Sequence, residues 1–338
     1  MKLPERLPLA NLPTRIDRLD RITRKLAGPA IYLKRDDQTG TELSGNKIRK
    51  LEFSIKEALD QGCDTLITCG GPQSNHCRAT AAAAARLGLG CILLLRWDDA
   101  LPQGNLLLDQ LLGAEIRMVS AADFGTRRDG IMTGILDELA ASSRKGYLIP
   151  LGASNGIGSF GYFACMHEIA EQEKQLGFQF DRIVLAVGSG GTFAGLYHAN
   201  HFMKRSTVVT GINIADDAQY FQDAIHGILK ESFAYTGESF ECRPGDFEII
   251  DGYVGRGYAL NQPDELRFIA ELAALEGVIL DPVYTGKAFR GMVEEIRKGR
   301  FDKDQRVLFL HTGGLFGAFP QNVEFSQVLG GLHRYPEA

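Results

Sequence analysis

Short apolar runs alternate with longer amphipathic stretches over almost the whole chain. The runs at 31–34, 65–68, 91–95, 115–119, 147–150, 183–187, 208–214, 278–280 and 307–310 predict strands. The longer patterns at 46–61, 74–87, 104–112, 127–143, 156–176, 190–203, 216–233, 262–276 and 286–298 predict helices. Strand–helix–strand repetition predicts parallel sheets with helices on both faces. A fully apolar run such as Ile-Val-Leu-Ala-Val at 183–187 suits a strand covered on two sides. Gly62, Gly88, Gly113 and Gly277 stand close behind helical stretches and predict their ends. No period of about 20–50 residues recurs. No Pro/Gly/Ser-rich linker divides the chain either, so two domains that share chain crossings are expected.

Length and composition sharpen this picture. At roughly 150 residues per domain, 338 residues suggest two domains with ample core. Lys plus Arg is 37 against 42 Asp plus Glu, a net charge of −5, which gives no electrostatic reason to bind nucleic acid or an anionic membrane. No apolar run approaches the ~18 residues that span a bilayer, and the N-terminus lacks the apolar core of a secretory signal. The six cysteines (Cys63, Cys69, Cys77, Cys91, Cys165 and Cys242) form no C-x-x-C pair and are too sparse for a disulfide framework. A soluble, cytoplasmic protein without a metal site is expected. Glycine, at 39 residues, is in surplus while proline is only 12, so tight backbone turns rather than disorder account for it.

Four segments place glycine and small polar residues where a strand hands over to a helix, the position at which open α/β sheets bind ligands. In Leu43-Ser44-Gly45-Asn46-Lys47-Ile48-Arg49-Lys50, a lysine sits at the positive end of a helix, and Lys50 follows one turn later within reach of an anion. In Gly70-Gly71-Pro72-Gln73-Ser74-Asn75-His76, free N–H groups at 74–76 suit a carboxylate, and an ordinary helix capped by Ser74 suits the pattern equally. In Gly188-Ser189-Gly190-Gly191-Thr192-Phe193-Ala194-Gly195, four glycines within eight residues allow a cup of N–H donors around a phosphate. Phe193 stands where a dinucleotide fingerprint needs its third glycine, and no Gly-Lys-Ser/Thr makes it a Walker loop. The fourth is the pair Asp281-Pro282-Val283-Tyr284-Thr285-Gly286-Lys287 and His311-Thr312-Gly313-Gly314. A phosphate cup, a reactive lysine, an anion-binding helix start and strand-end hydroxyls together suit a phosphorylated carbonyl cofactor, for which pyridoxal phosphate is the economical candidate.

These motifs, in this order and spacing from about residue 8 to 320, resemble the family of D-cysteine desulfhydrases and 1-aminocyclopropane-1-carboxylate (ACC) deaminases. The resemblance implies two open, mostly parallel twisted sheets with flanking helices, the tryptophan-synthase-β-like fold of pyridoxal phosphate enzymes. Residues 1–47 plus 158–338 would form a larger cofactor domain and 48–157 a smaller one, with the site in the cleft between them. Lys47 would be the Schiff-base lysine and Lys50 would help to hold the phosphate in the cup of Gly188, Ser189, Gly190, Gly191 and Thr192. Asn75 would bond the cofactor's 3′ oxygen, while Ser74, Asn75 and His76 would receive the substrate carboxylate. Tyr258 and Tyr284 match two active-site tyrosines of the family. A homodimer acting on a small amino acid is implied, with neither nucleic acid nor membrane as partner.

Three positions separate the branches of that family. ACC deaminases resemble Val-Tyr-Glu-Gly-Lys, His-Leu-Gly-Gly and Ser-Asn-Gln, where this chain has Thr285, Thr312 and His76, as D-cysteine desulfhydrases do. A carboxylate beside the pyridine nitrogen would make a strong electron sink, suited to opening a cyclopropane ring. The neutral hydroxyls of Thr285 and Thr312 suit loss of a good β-leaving group. The resemblance therefore implies a lyase converting D-cysteine to pyruvate, ammonia and hydrogen sulfide, with Lys47 as the base and Tyr284 or Tyr258 handling the thiol proton. Pro72 stands where Ile or Val is commoner, which leaves the exact substrate open; the alternatives are a lyase for L-cysteate or 3-chloro-D-alanine, an ACC deaminase, and a silent cofactor-binding or regulatory protein. The segment Arg96-Trp97-Asp98-Asp99 and the loop near Tyr220 and Phe221 are expected to border the pocket.

Overall fold

A computed structural model describes residues 3–97 and 102–330, and in it the strands gather into two sheets. They are β1 (Ile16–Arg18), β2 (Ala30–Lys34), β3 (Thr65–Gly70), β4 (Gly90–Arg96), β5 (Glu115–Val119), β6 (Gly146–Leu148), β7 (Arg182–Val187), β8 (Val208–Asn213), β9 (Glu248–Ile250) and β10 (Arg306–Leu310). One sheet has the order β1-β2-β10-β7-β8-β9 and the other β5-β4-β3-β6. Every neighbouring pair is parallel except β1 and β2. The expected fold class holds, with one antiparallel edge strand.

Alternation along the strands explains why both faces are covered. Leu185, Val187, Leu308 and Leu310 point into one core, while Val184, Val307 and Phe309 point into another across the sheet. In the four-stranded sheet, Leu66, Leu93 and Leu95 face one cluster, and Ile67, Ile92 and Leu94 the opposite one. Leu308 lies opposite Tyr32 on one side and Ile183 on the other. Parallel pairing in that register brings the carboxyl ends of β10 and β7 side by side, so the 311–314 and 188–191 turns open at the same end. Among the described residues, no helix is long and apolar enough to cross a membrane.

Some elements differ from expectation. Residues 278–280 alternate buried and exposed as a strand would, but they run past the sheet without a ladder partner, and the His311 ring meets the Ile279 carbonyl instead. The short strands β1 and β9 and the helices Asp20–Leu26 and Asn322–Leu329 carry too little pattern to be read from sequence. The expected 127–143 helix is Arg128–Ala141, preceded by a separate Ala121–Thr126 turn. Gly88 and Gly277 end their helices at φ 70° and 68°, a conformation that only glycine adopts without strain.

The helix Asn46–Asp60, which carries Lys47 and Lys50, is anchored from its other side. Arg49 lies about 200° around the helix from Lys47. Its guanidinium donates to Asp36 Oδ2 at 2.9 Å and Oδ1 at 2.8 Å, and to Glu168 Oε2 at 2.9 Å and Oε1 at 3.0 Å. Tyr162 and Thr14 also donate to Asp36, and Lys34 pairs with Glu168, so two cations face two carboxylates in the interior. Gly161 of the helix Gly156–Leu176 makes the approach possible, because a Cβ there would stand 2.5 Å from the Arg49 carbonyl. Burial pushes both carboxyls up, but Arg49 outweighs it and holds Asp36 and Glu168 below their ordinary values.

Breaking one partner of such a network strands the others without compensation. Arg49→Met is expected to lose about 3–5 kcal/mol in urea unfolding, and a loss under about 1 kcal/mol would remove the network from its anchoring role. Depressed carboxyl values make the sign plain. The stability these acids contribute is present above about pH 5, and it is lost as the pH falls through their folded-state values. The acid-side slope should therefore be shallower in Arg49→Met than in the parent chain.

Candidate active site

The strand-end turns of the two sheets enclose a cavity of about 410 Å³. Asn46 opens its helix with a backbone N–H bonded to the Thr312 carbonyl at 3.1 Å. The chain enters this helix through Gly45 at φ 105°, where a Cβ would lie 2.8 Å from that same carbonyl. Lys47 therefore projects from the first turn into the cavity, close to Gly152, whose added Cβ would sit 3.3 Å from its Nζ. Burial alone brings the Lys47 amine down to about 8. Lys50, one turn on, donates to the Gly152 carbonyl at 3.2 Å and to Ser154 Oγ at 3.1 Å. Burial, with Lys47 beside it, holds the Lys50 amine well below its usual range. Among the described residues neither lysine has a carboxylate partner.

Two buried amines without an anion point to an anionic ligand, and the surroundings fit a phosphate. The helix Gly191–Phe202 begins with no side-chain cap, so its first N–H groups face the cavity end unpaired. Ser154 and Ser189 join their hydroxyls at 2.8 Å across this end, and Asn46 donates to Thr192 Oγ1 at 3.1 Å. Gly191 must lack a side chain here, because a Cβ would come 2.8 Å from Ser154 Oγ and 2.9 Å from Lys50 Nζ. Gly188, Ser189, Gly190 and Thr192 line the cavity, while Gly191 and Lys50 stand just behind that lining.

The opposite wall is the start of the helix Asn75–Leu87. Ser74 caps it, its Oγ accepting from Cys77 N at 3.2 Å, which leaves the Ser74 proton and the Asn75 and His76 N–H groups for a ligand. Asn75 Oδ1 accepts from Asn105 at 3.0 Å, so its amide nitrogen remains a donor toward the cavity side. One nitrogen of the His76 ring is committed elsewhere, while Nδ1 is buried without a partner among the described residues. Thr68 Oγ1 donates to the Ile149 carbonyl at 2.8 Å and so accepts from His76 Nε2 at 2.7 Å. Burial, then Lys47 and Lys50, keep this imidazole neutral. Any carboxylate held at His76 is therefore held by its backbone N–H, not by a charged ring.

Tyr258 and Tyr284 meet in the cavity with their hydroxyls hydrogen-bonded and their rings edge-on, centroids 5.7 Å apart. Burial raises both phenols, and for Tyr284 the neighbouring Tyr258 adds to it, so both keep their protons at neutral pH. Asp281 fixes Tyr284 by accepting from its N–H at 2.9 Å, and from Thr285 N at 2.7 Å. Thr285 lies behind the wall rather than on it. Its hydroxyl donates to Asp281 Oδ1 at 2.6 Å and accepts from Asp281 N at 2.8 Å, so it has no proton left for a substrate. Thr312, in contrast, lines the cavity.

Ser154 and Gly152 are site residues that the sequence reading passed over, although Pro150–Asn155 is a fifth strand-to-helix junction of the same kind. Arg96 lines the cavity from the end of β4, while Asp98 and Asp99 lie outside the described residues. Tyr220 borders a second hollow of about 520 Å³ that shares Leu151, Gly188, Ser189 and Asp216 with the first. Phe221 is instead fully buried in the core.

Comparison with known proteins agrees with this chemistry. The family described as pyridoxal-phosphate dependent enzyme matches residues 7–313. A Thermotoga maritima protein provisionally named 1-aminocyclopropane-1-carboxylate deaminase is 44% identical, over 94% of this chain and 98% of its own. An Arabidopsis thaliana mitochondrial protein named bifunctional D-cysteine desulfhydrase/1-aminocyclopropane-1-carboxylate deaminase is 40% identical, over 96% of this chain and 82% of its own. A solved structure titled as an ACC deaminase homologue superposes with a TM-score of 0.89 at 38% identity, covering 97% of both chains.

A lysine amine brought to about 8 adds to an aldehyde at a pH where exposed lysines are almost wholly protonated. Incubation with pyridoxal phosphate at pH 8, borohydride reduction and peptide mapping should place the label on Lys47. Labelling should fall as the pH drops below about 8 and level off above it. Label spread evenly over surface lysines would contradict the assignment.

Proposed function

The chain belongs to the pyridoxal-phosphate dependent enzymes, in the branch that holds D-cysteine desulfhydrases and ACC deaminases, and from that premise we propose that it eliminates sulfide from D-cysteine. The observation that carries this choice is the chemistry of the inner wall. Thr312, Tyr258 and Tyr284 supply hydroxyls there, and among the described lining residues the one carboxylate is Asp216, on the exposed rim. When bound, the cofactor supplies an electron sink for the substrate's α-carbon, stronger beside a carboxylate and weaker beside a hydroxyl. Thr312 therefore suits a β-group that leaves readily, as thiolate does, over an unactivated cyclopropane ring.

Each residue then has a defined task. Gly188–Thr192, Ser154 and Lys50 would hold the phosphate, and Asn75 would donate to the ring oxygen. Ser74 and the N–H groups of Asn75 and His76 take the substrate carboxylate. Lys47, neutral near its lowered value, removes the Cα proton. The electron pair of that bond forms the Cα=Cβ bond, and sulfur departs with the Cβ–S pair. The tyrosine pair, protonated at neutral pH, supplies the proton to the departing sulfur. The proton held by Lys47 then passes to Cβ, and one water replaces nitrogen at Cα, giving pyruvate, ammonia and hydrogen sulfide. Arg96 favours a second reading, because a guanidinium on the cavity wall would also accommodate an anionic β-substituent such as the sulfonate of L-cysteate.

Pyruvate assayed with sulfide on D-cysteine, L-cysteine, L-cysteate, 3-chloro-D-alanine and ACC tests these readings. Matched pyruvate and sulfide from D-cysteine is the expected result. Turnover of ACC alone would overturn the argument from Thr312, and turnover of cysteate alone would transfer it to Arg96. Lys47→Ala should abolish turnover, and Tyr284→Phe should slow sulfide release by on the order of 10²-fold.

We extend the proposal to a homodimer in a reducing cytoplasm. The six free cysteines support the compartment. Exposed Leu107, Leu111, Phe319 and Val323 support a covered face, on elements that touch where Gly104 approaches the Phe316 carbonyl. Sedimentation at the mass of a monomer would contradict the dimer.

A further inference from the structure

Lys287 closes the Asp281–Lys287 motif, yet neither the cofactor pocket nor the substrate wall uses it. It is only 2% exposed and pairs with no carboxylate among the described residues. Its ammonium donates instead to three backbone carbonyls, Val254 at 2.7 Å, Gly257 at 2.7 Å and Leu260 at 3.2 Å. These carbonyls belong to the loop between β9 and the helix Pro263–Glu276, which carries Tyr258.

That loop has little means of holding its own shape. Gly255, Gly257 and Ala259 all lie in the left-handed region, at φ 67°, 130° and 60°. Within 254–260 one backbone bond forms among the described residues, from Leu260 N to Gly257 O at 3.2 Å. Lys287 also lies three positions after Tyr284 in the first turn of the helix Thr285–Arg297, so both residues share one face. One helix start thus supports Tyr284 directly and Tyr258 through the ammonium. Three carbonyl oxygens around a compact cation are also the donor set that suits a bare monovalent ion.

We infer that Lys287 is a positioning residue whose ammonium acts as a built-in monovalent cation, holding the 254–260 loop so that Tyr258 meets Tyr284. The corollary is a latent site: truncating the side chain leaves three carbonyls that take up ammonium or potassium. The effect on turnover rests on the reading of the tyrosine pair as the proton donor, whereas the loop's order and its cation dependence do not.

The test compares Lys287→Ala and Lys287→Met holoenzymes in choline chloride and in ammonium chloride. The readouts are hydrogen exchange along the chain and kcat for sulfide release. In choline, exchange in both variants should rise within 251–262 and stay at parent values elsewhere, with kcat down on the order of 10²-fold from misplacement of Tyr258. Ammonium should reverse both changes in the alanine variant only, since methionine fills the space the ion needs. In a Tyr258→Phe background, Lys287→Ala should cost no further kcat. Parent-like exchange in 251–262 would overturn the inference, and so would failure of ammonium and potassium alike to restore it in the alanine variant. If that variant does not fold, parent-like exchange in the methionine variant overturns it. A loosened loop with unchanged kcat would leave the cation site standing and overturn the coupling to Tyr258, a result distinct from a wrong substrate, which alters neither exchange nor its ammonium dependence.

Discussion

Burying two lysines three residues apart with no carboxylate between them is the constraint around which this protein is built. Each amine loses hydration, and the charge of Lys47 further lowers the affinity of Lys50 for a proton. A helix presenting such a face would rotate it toward water unless its far side were held more strongly. Arg49 provides that hold, because its fork engages both oxygens of Asp36 and both of Glu168. The ionic cluster beneath the helix and the bare amines above it are two faces of one element. The first fixes the orientation that makes the second reactive.

Sheet register delivers the remaining groups to those amines. Parallel pairing aligns the strand ends, so the glycine turn after β7 and the threonine turn after β10 arrive beside the start of Asn46–Asp60. The second sheet presents the capped start of Asn75–Leu87 from across the cavity. Two helix starts then face one space, one suited to phosphate and the other to carboxylate. The site is divided by charge: two helix starts offer fixed backbone dipoles, and the groups proposed to handle protons are neutral phenols and a lysine near neutrality.

Much of this was legible along the chain. The apolar runs marked the central strands because a strand covered on both faces must be apolar throughout, and the helix-ending glycines marked left-handed caps. The glycine cup, Lys47 and the Ser74 helix start could be recognised because each is a local strand-to-helix junction. Residues 278–280 misled for the opposite reason. Their alternation satisfies the core on one side, but strand identity depends on pairing with a neighbour, and no described strand pairs with them. Thr285 and His76 carry the right chemistry in the right motif, yet Asp281 takes up the Thr285 hydroxyl and Thr68 takes up Nε2 of His76.

By itself, the order of residues determined the alternating architecture, the junctions able to hold anions and the family to which the chain belongs, since these follow from local periodicity and short motifs. Tertiary structure alone decided which donors stay free. Ser154 joins Ser189 at the glycine turn, Thr285 withdraws behind the wall, and Lys287 reaches the Tyr258 loop, about 30 positions before it in the chain. The physical reason is that a polar group's role depends on what remains of its hydrogen-bonding capacity once its neighbours have been satisfied. Those neighbours are brought together by sheet register and helix packing, not by spacing along the chain.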